Sequence, residues 1–205
     1  MNPCMDDNVA EAVQALSLAF SNKLRAISCL KIYGSLDPSE LYLCPPSSRF
    51  PTICKLYVMS FQILENGDVI QKFLQSFPNL VELSVRFQGW ESSIPNIIGG
   101  LSWPHLQVLR LDDLWASEDE IFDLFKRHQR TLQRFSLGDT TIVKGSWRSL
   151  FTRIRNVCIK TQIVVDGELY GRRSRDTVTI RHNGAAARLT SFMQDKNVQW
   201  PFGLF

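Results

Sequence analysis

A chain of 205 residues, 44% hydrophobic and 21% charged, is long enough to bury a sizeable core as one domain and has an ordinary soluble composition. A formal net charge of +3 is too small to argue for nucleic acid by itself, and no apolar stretch approaches the roughly 20 residues that span a bilayer. Five cysteines (Cys4, Cys29, Cys44, Cys54, Cys158) form no C-x-x-C pair and no N-x-S/T sequon occurs, which points to a reducing compartment, cytoplasmic or nuclear.

Residues 8–25 place Val9, Val13, Leu16, Ala19 and Phe20 on one helical face. Asp6, Asp7 and Glu11 exclude a basic leader, so no signal peptide is expected. The first short strand is marked by Ile27, Leu30 and Ile32, followed by a loop broken by Pro38, Pro45 and Pro46. Ile53, Leu56 and Val58 mark the second strand. A helix over 68–77 follows, with Val69, Ile70, Phe73, Leu74 and Phe77 on one side. Leu80, Leu83 and Val85 come next, then a short crossover over 89–102 with Pro95, Gly99 and Gly100, then Leu106, Leu109 and Leu111. Ser117 three residues before Glu120 is a capping box, opening a helix with Ile121, Phe122, Leu124 and Phe125. Leu132, Phe135 and Leu137 form the fifth run. Trp147, Leu150, Phe151 and Ile154 indicate a helix from Ser146, and Ile154, Val157 and Ile159 give a sixth, weakest run. Beyond it, 163–170 and 177–181 are expected to pair as a hairpin around the basic turn 171–175. The segment 185–195 is expected to form a helix onto which Trp200, Pro201 and Phe202 fold back.

The six runs share the spacing apolar-x-x-apolar-x-apolar and start 26, 27, 26, 26 and 22 residues apart. Three of them follow an aromatic-proline pair at the same phase: Phe50-Pro51, Phe77-Pro78 and Trp103-Pro104. This period is the signature of leucine-rich repeats. The expected fold is therefore an α/β leucine-rich-repeat solenoid, a horseshoe of about six repeats with parallel concave strands and convex helices. An N-terminal capping helix would occupy 1–26, the repeats 27–160, and an irregular C-terminal cap 161–205.

In such a fold the residues between the apolar strand positions face solvent. Of the eighteen such positions six are basic and two acidic. The expected partner-binding residues are Lys31, Tyr33, Lys55, Tyr57, Met59, Arg86, Arg110, Arg134 and Lys160. Arg86, Arg110 and Arg134 would supply forked donors to an acidic or phosphorylated protein or peptide, with Tyr33, Tyr57 and Met59 as an apolar anchor. Glu82 and Asp112 on the same face disfavour nucleic acid. No catalytic, cofactor or metal site is expected. His105, His128 and His182 are not paired at ligand spacing, and no phosphate-cradling Gly loop or nucleophile elbow occurs. His128 ends a helix, where an imidazolium suits the dipole. The Arg172-Arg173-Ser174-Arg175 loop has the composition of a solvated hairpin tip.

The blocks Phe77-Pro78-Asn79-Leu80-Val81-Glu82-Leu83 and Leu106-Gln107-Val108-Leu109-Arg110-Leu111 resemble the repeats of F-box proteins from filamentous fungi. So do Ser117-Glu118-Asp119-Glu120-Ile121 through His128, Gly145-Ser146-Trp147-Arg148-Ser149-Leu150-Phe151, and the ending from Leu189 to Phe202. The resemblance covers residues 50–205. It implies the substrate-recognition part of an F-box-like ubiquitin-ligase receptor. Residues 1–26 are too few for an F-box and lack a Leu-Pro start, so a cullin-ligase adaptor is expected only if an F-box is supplied. The alternative is a freestanding leucine-rich-repeat scaffold with no ubiquitin-ligase link.

Overall fold

The computed structural model describes residues 27–33, 50–62, 67–88, 98–157, 160–171, 178–180 and 183–202. The elements run β1 (Cys29–Ile32), β2 (Lys55–Gln62), α1 (Gly67–Gln75), β3 (Glu82–Gln88), β4 (Val108–Asp112) and β5 (Trp115–Ser117). They continue with α2 (Glu118–His128), β6 (Arg134–Lys144), α3 (Trp147–Val157), β7 (Gln162–Tyr170), β8 (Val178–Ile180) and α4 (Asn183–Gln194). One eight-stranded sheet is formed in the order β1-β2-β3-β4-β6-β7-β8, with β5 paired to β6 off this path. Every pairing is parallel except β7 with β8.

This corrects the horseshoe expectation. The molecule is a mixed α/β arrangement with an uncurled, mostly parallel sheet and four helices among the described residues, not a solenoid with a helix outside each strand. Two of the three positions of the sixth apolar run, Ile154 and Val157, lie on α3 and not on a strand, and Ile159 is outside the described residues. The physical reason is that an i, i+3 pair satisfies a helix stripe as well as a strand triplet. Trp147, Leu150, Phe151 and Ile154, all buried, continue the stripe at helical spacing. Residues 162–170 instead supply the next strand, with Ile163, Val165 and Leu169 inward. The region between β3 and β4 shows only turns, at 98–100 and 104–105, among its described residues. The expected N-terminal helix and the basic turn 172–175 lie outside the described residues.

The strands that do form follow the alternation rule. Leu56 and Val58, Leu83 and Val85, Leu109 and Leu111, and Phe135 and Leu137 all point to one face and are fully or almost fully buried. That face joins α1 through Ile70, Phe73 and Leu74, α2 through Ile121, Leu124 and Phe125, and α3 through Leu150 and Phe151 in one core. Phe125 meets Phe135 at 5.6 Å between ring centres, which seats α2 on β6. Successive strands start alike. The Ser28 carbonyl accepts from the Cys54 and Lys55 amides, that of Cys54 from Val81 and Glu82, that of Val81 from Gln107 and Val108, and that of Gln107 from Gln133 and Arg134.

The capping box on α2 forms as its sequence predicts. The Glu120 amide donates to Ser117 Oγ at 3.3 Å, and the Ser117 amide to Glu120 Oε2 at 2.7 Å. The expected hairpin forms between β7 and β8, with Gly167 opposite Ile180 and Leu169 opposite Val178. The closing segment folds back as expected: Trp200 lies 5.9 Å from Phe151 and 5.2 Å from Phe192 between ring centres.

His128 at the end of α2 is neutral rather than an imidazolium. It is buried, its Nδ1 lies 3.1 Å from the Leu124 carbonyl, and its Nε2 accepts the Trp103 amide at 3.2 Å. An acceptor at Nε2 requires the proton on Nδ1. Burial is the main cause that lowers the His128 pKa below 6.5, outweighing the Leu124 bond. The unfolded chain then binds the extra proton more readily. Stability is therefore complete above pH about 6.5 and declines as pH falls from there toward the folded value. Urea titrations between pH 5 and 8 should show this loss, and His128→Gln should flatten the slope.

Candidate functional site: the uncovered sheet face

The opposite face of the sheet carries the polar half of each strand, and its rows follow from the register. One row reads Cys29, Lys55, Glu82, Val108, Arg134, Gln162, and the next Lys31, Tyr57, Ser84, Arg110, Ser136, Val164. A third joins Arg86, Asp112, Gly138 and Asp166. Arg86, Arg110 and Arg134 thus descend diagonally, one to a row, which keeps like charges off directly opposed positions. Parallel sheets are ordinarily covered on both faces. Here Tyr33 is 68% exposed and Met59 44% exposed at the β1–β2 end of the open face.

The cations on this face are largely matched within the chain. Lys55 Nζ is 3.3 Å from Glu82. Lys31 Nζ sits 5.2 Å from the centre of the Tyr57 ring. Burial, then a hydrogen bond to the Glu82 carboxylate, push Tyr57 up to about 12, so it stays a phenol. Arg86 Nε donates to Asp113 Oδ2 at 2.6 Å and its Nη2 lies 3.6 Å from Asp139. Arg110 donates from Nε to Asp112 Oδ2 at 2.7 Å and from Nη2 to Asp166 Oδ2 at 2.9 Å. Hydrogen bonding to Asp113 is the first cause that raises Arg86, and hydrogen bonding to Asp112 the first that raises Arg110.

The backbone builds these carboxylates into place. Asp112, Gly138 and Asp166 are register partners, and the residue after each is left-handed: Asp113 at φ 57°, Asp139 at φ 44°, Gly167 at φ 96°. Asp and Gly tolerate that region best, the first by local hydrogen bonding and the second by lacking a Cβ. Asp139 Oδ1 accepts the Glu168 amide at 3.1 Å. At Gly138 a Cβ would run into Asp112 Oδ1 and stand 2.9 Å from the Asp166 carbonyl oxygen. Asp112 is buried, its Oδ1 has no hydrogen-bond partner, and burial raises its carboxyl above the usual range even with Arg110 beside it. Among the described residues no group of three or more His, Cys, Asp or Glu could hold a metal ion.

Of the residues expected to bind a partner, Lys31, Lys55, Tyr57, Met59, Arg86, Arg110 and Arg134 lie on strands, and Tyr33 directly follows β1. Lys160 does not join them. It precedes β7 and lines cavities at that strand's start, while Gln162 takes the position beside Arg134. Asn156, between the apolar positions Ile154 and Val157 of the sixth run, is on α3. The carboxylates Asp113, Asp139 and Asp166 were not foreseen as site residues. Their signal is the pair Asp112-Asp113 at the end of β4 and the pairs Gly138-Asp139 and Asp166-Gly167 at the matching register inside β6 and β7. No helix among the described residues is long and apolar enough to cross a membrane. In comparisons with known proteins, no family model, no curated protein and no solved structure matches this chain.

Proposed function

We propose that this protein is a non-catalytic protein-binding module that receives its partner on the sheet face opposite the helices. The observation that carries the reading is a mostly parallel sheet with one face buried in the core and the other presenting Tyr33 and Met59 to solvent. Exposed aromatic and methionine side chains on an ordered surface are the groups that supply most binding free energy at interfaces. Specificity on this face is set by the apolar anchor and by shape. Arg86 and Arg110 already hold carboxylates of the chain, so an acidic partner would have to displace Asp113 or Asp166. Arg134, exposed and without an ion pair among the described residues, remains for one acidic contact.

Membership of a ubiquitin-ligase receptor belongs to the same proposal and is supported by the resemblance over residues 50–205 alone. A cytoplasmic or nuclear location is supported by the free thiols of Cys29 and Cys54. The test is site-specific photo-crosslinking in the native cell, from Ser84 on the open face and from Asp123 on α2 as a control. The expected result is a discrete protein adduct from Ser84, absent from Asp123 and lost in the Tyr33→Ala/Met59→Ala variant. Equal adducts from both positions, or none from Ser84, would sink the proposal.

A further inference from the structure

We propose a second binding site, for a phosphoryl group carried on a protein side chain, in the trough between α3, the start of β7 and the end of α4. It adjoins the open sheet face at Gln162, which lines the trough and also ends the row beside Arg134, but rests on a different set of residues. A cavity of about 350 Å³ is lined by Arg155, Lys160, Thr161, Gln162, Thr190 and Lys196 among others. A second, of about 640 Å³, shares Arg155 and Lys196 and adds Arg148. A third, of about 540 Å³, shares Lys160 and adds Arg130. The three cavities therefore adjoin, and among the described residues five cations and no carboxylate line them.

The pairing of charges across the molecule makes this trough stand out. The carboxylate-paired cations are Lys55, Arg86, Arg110 and Arg153, none of which lines the trough. Arg130, Arg148, Arg155, Lys160 and Lys196 have no ion pair among the described residues. Asp195, next to Lys196, turns its carboxylate to the Asn197 amide at 2.8 Å. Arg155 is fixed before any ligand arrives. Its Nη1 donates to the Phe192 and Val198 carbonyls at 3.2 and 3.1 Å, and its guanidinium stacks 3.9 Å from the Phe192 ring centre. Its Nε is buried with no acceptor. A buried donor on an unmatched cation is costly to leave empty, and an anion bound there relieves both deficits.

A phosphomonoester carries about −1.5 to −2 charges and three acceptor oxygens, a better match than one carboxylate to Arg155, Lys160 and Lys196, which line one cavity. A nucleic-acid phosphate fits less well, because base stacking needs a free ring. Trp200, the trough's largest aromatic, is already packed against Phe151, Phe192 and Phe202.

The test is amide-resolved NMR titration of the full chain with four probes: a pentapeptide of alanines around one phosphoserine, the same peptide with aspartate, inorganic phosphate, and an oligouridylate. Saturable shifts at Gln162, Thr190 and Gln194 are expected with the phosphopeptide, at lower concentration than with the other three. Lys160→Gln/Lys196→Gln, both exposed and so without effect on the fold, should weaken phosphopeptide binding by at least about tenfold. Absence of saturable shifts, or unchanged affinity in that variant, overturns the site. Tighter binding of the oligouridylate, or equal binding of free phosphate or the aspartate peptide, overturns the phosphoprotein assignment.

Discussion

Replacing Trp147 with alanine is expected to lower the unfolding free energy by about 3–5 kcal/mol, a large part of the roughly 5–15 kcal/mol that holds a domain folded. Trp147 opens α3, is almost fully buried, and stacks on Phe151 at 5.9 Å between ring centres. Its indole N–H donates to the Tyr170 carbonyl at 3.1 Å, so one side chain ties the start of α3 to the far end of β7. Truncation leaves a cavity in the core and removes the indole donor from the Tyr170 carbonyl. Trp147→Phe keeps most of the packing and gives up the hydrogen bond, for a smaller loss of about 1–2 kcal/mol. Urea denaturation reads both: a lowered midpoint at unchanged slope is expected, with the alanine variant clearly below phenylalanine. Equal midpoints for alanine and wild type would show that this residue does not anchor the helix.

Glu118→Ala should rank second, at about 2–4 kcal/mol, because it strands several donors at once. Glu118 starts α2 and is buried. Its Oε1 accepts from Ser149 Oγ at 2.6 Å and from Arg153 Nη1 at 3.0 Å, and its Oε2 accepts the Ser146 amide at 3.1 Å. The carboxylate thus joins the N-termini of α2 and α3, where the helix dipoles favour negative charge. Arg153 is partly solvent-exposed and keeps Asp119 at 2.7 Å, which holds the loss toward the lower end of that range. A double-mutant cycle with Arg153→Ala separates the ion pair from the Ser146 and Ser149 bonds. A coupling energy matching the whole loss would mean those serine contacts contribute nothing. Gly145, at φ 99°, belongs to the same arrangement, since a Cβ there would press on the Glu118 side chain.

The sequence made the local devices legible and the global shape much less so. Strand runs at a period near 26 residues do become neighbouring parallel strands, because the alternating apolar positions can be buried only if each run lies beside the last. The capping box at Ser117 and Glu120, the hairpin of β7 and β8 and the fold-back of Trp200 were also readable. Each depends on a few adjacent residues. Ile154 and Val157 misled because the i, i+3 step that opens the repeat motif is also the spacing of a helix stripe, and only the helical stripe from Trp147 decides between them. Curvature depends on what fills each crossover, and a strand pattern does not contain that. The ionic balance of the open face was equally hidden. Arg86 and Arg110 look unmatched in sequence, but Asp113, Asp139 and Asp166, 27 to 56 residues away, come to them through parallel register and left-handed backbone. Burial reversed the reading of His128, since desolvation by the surrounding core outweighs any attraction of a helix C-terminus for charge.

The central claim is that one face of this sheet is open to receive a protein. Thiol-labelling rates of single cysteine variants along β3 and β4 test it most directly, in a background with the native cysteines replaced. Ser84→Cys and Arg110→Cys, both partly exposed, should react much faster than Leu83→Cys and Leu109→Cys, which react only through unfolding. Protection of Arg110→Cys equal to that of Leu109→Cys would mean the face is covered, and would contradict the account.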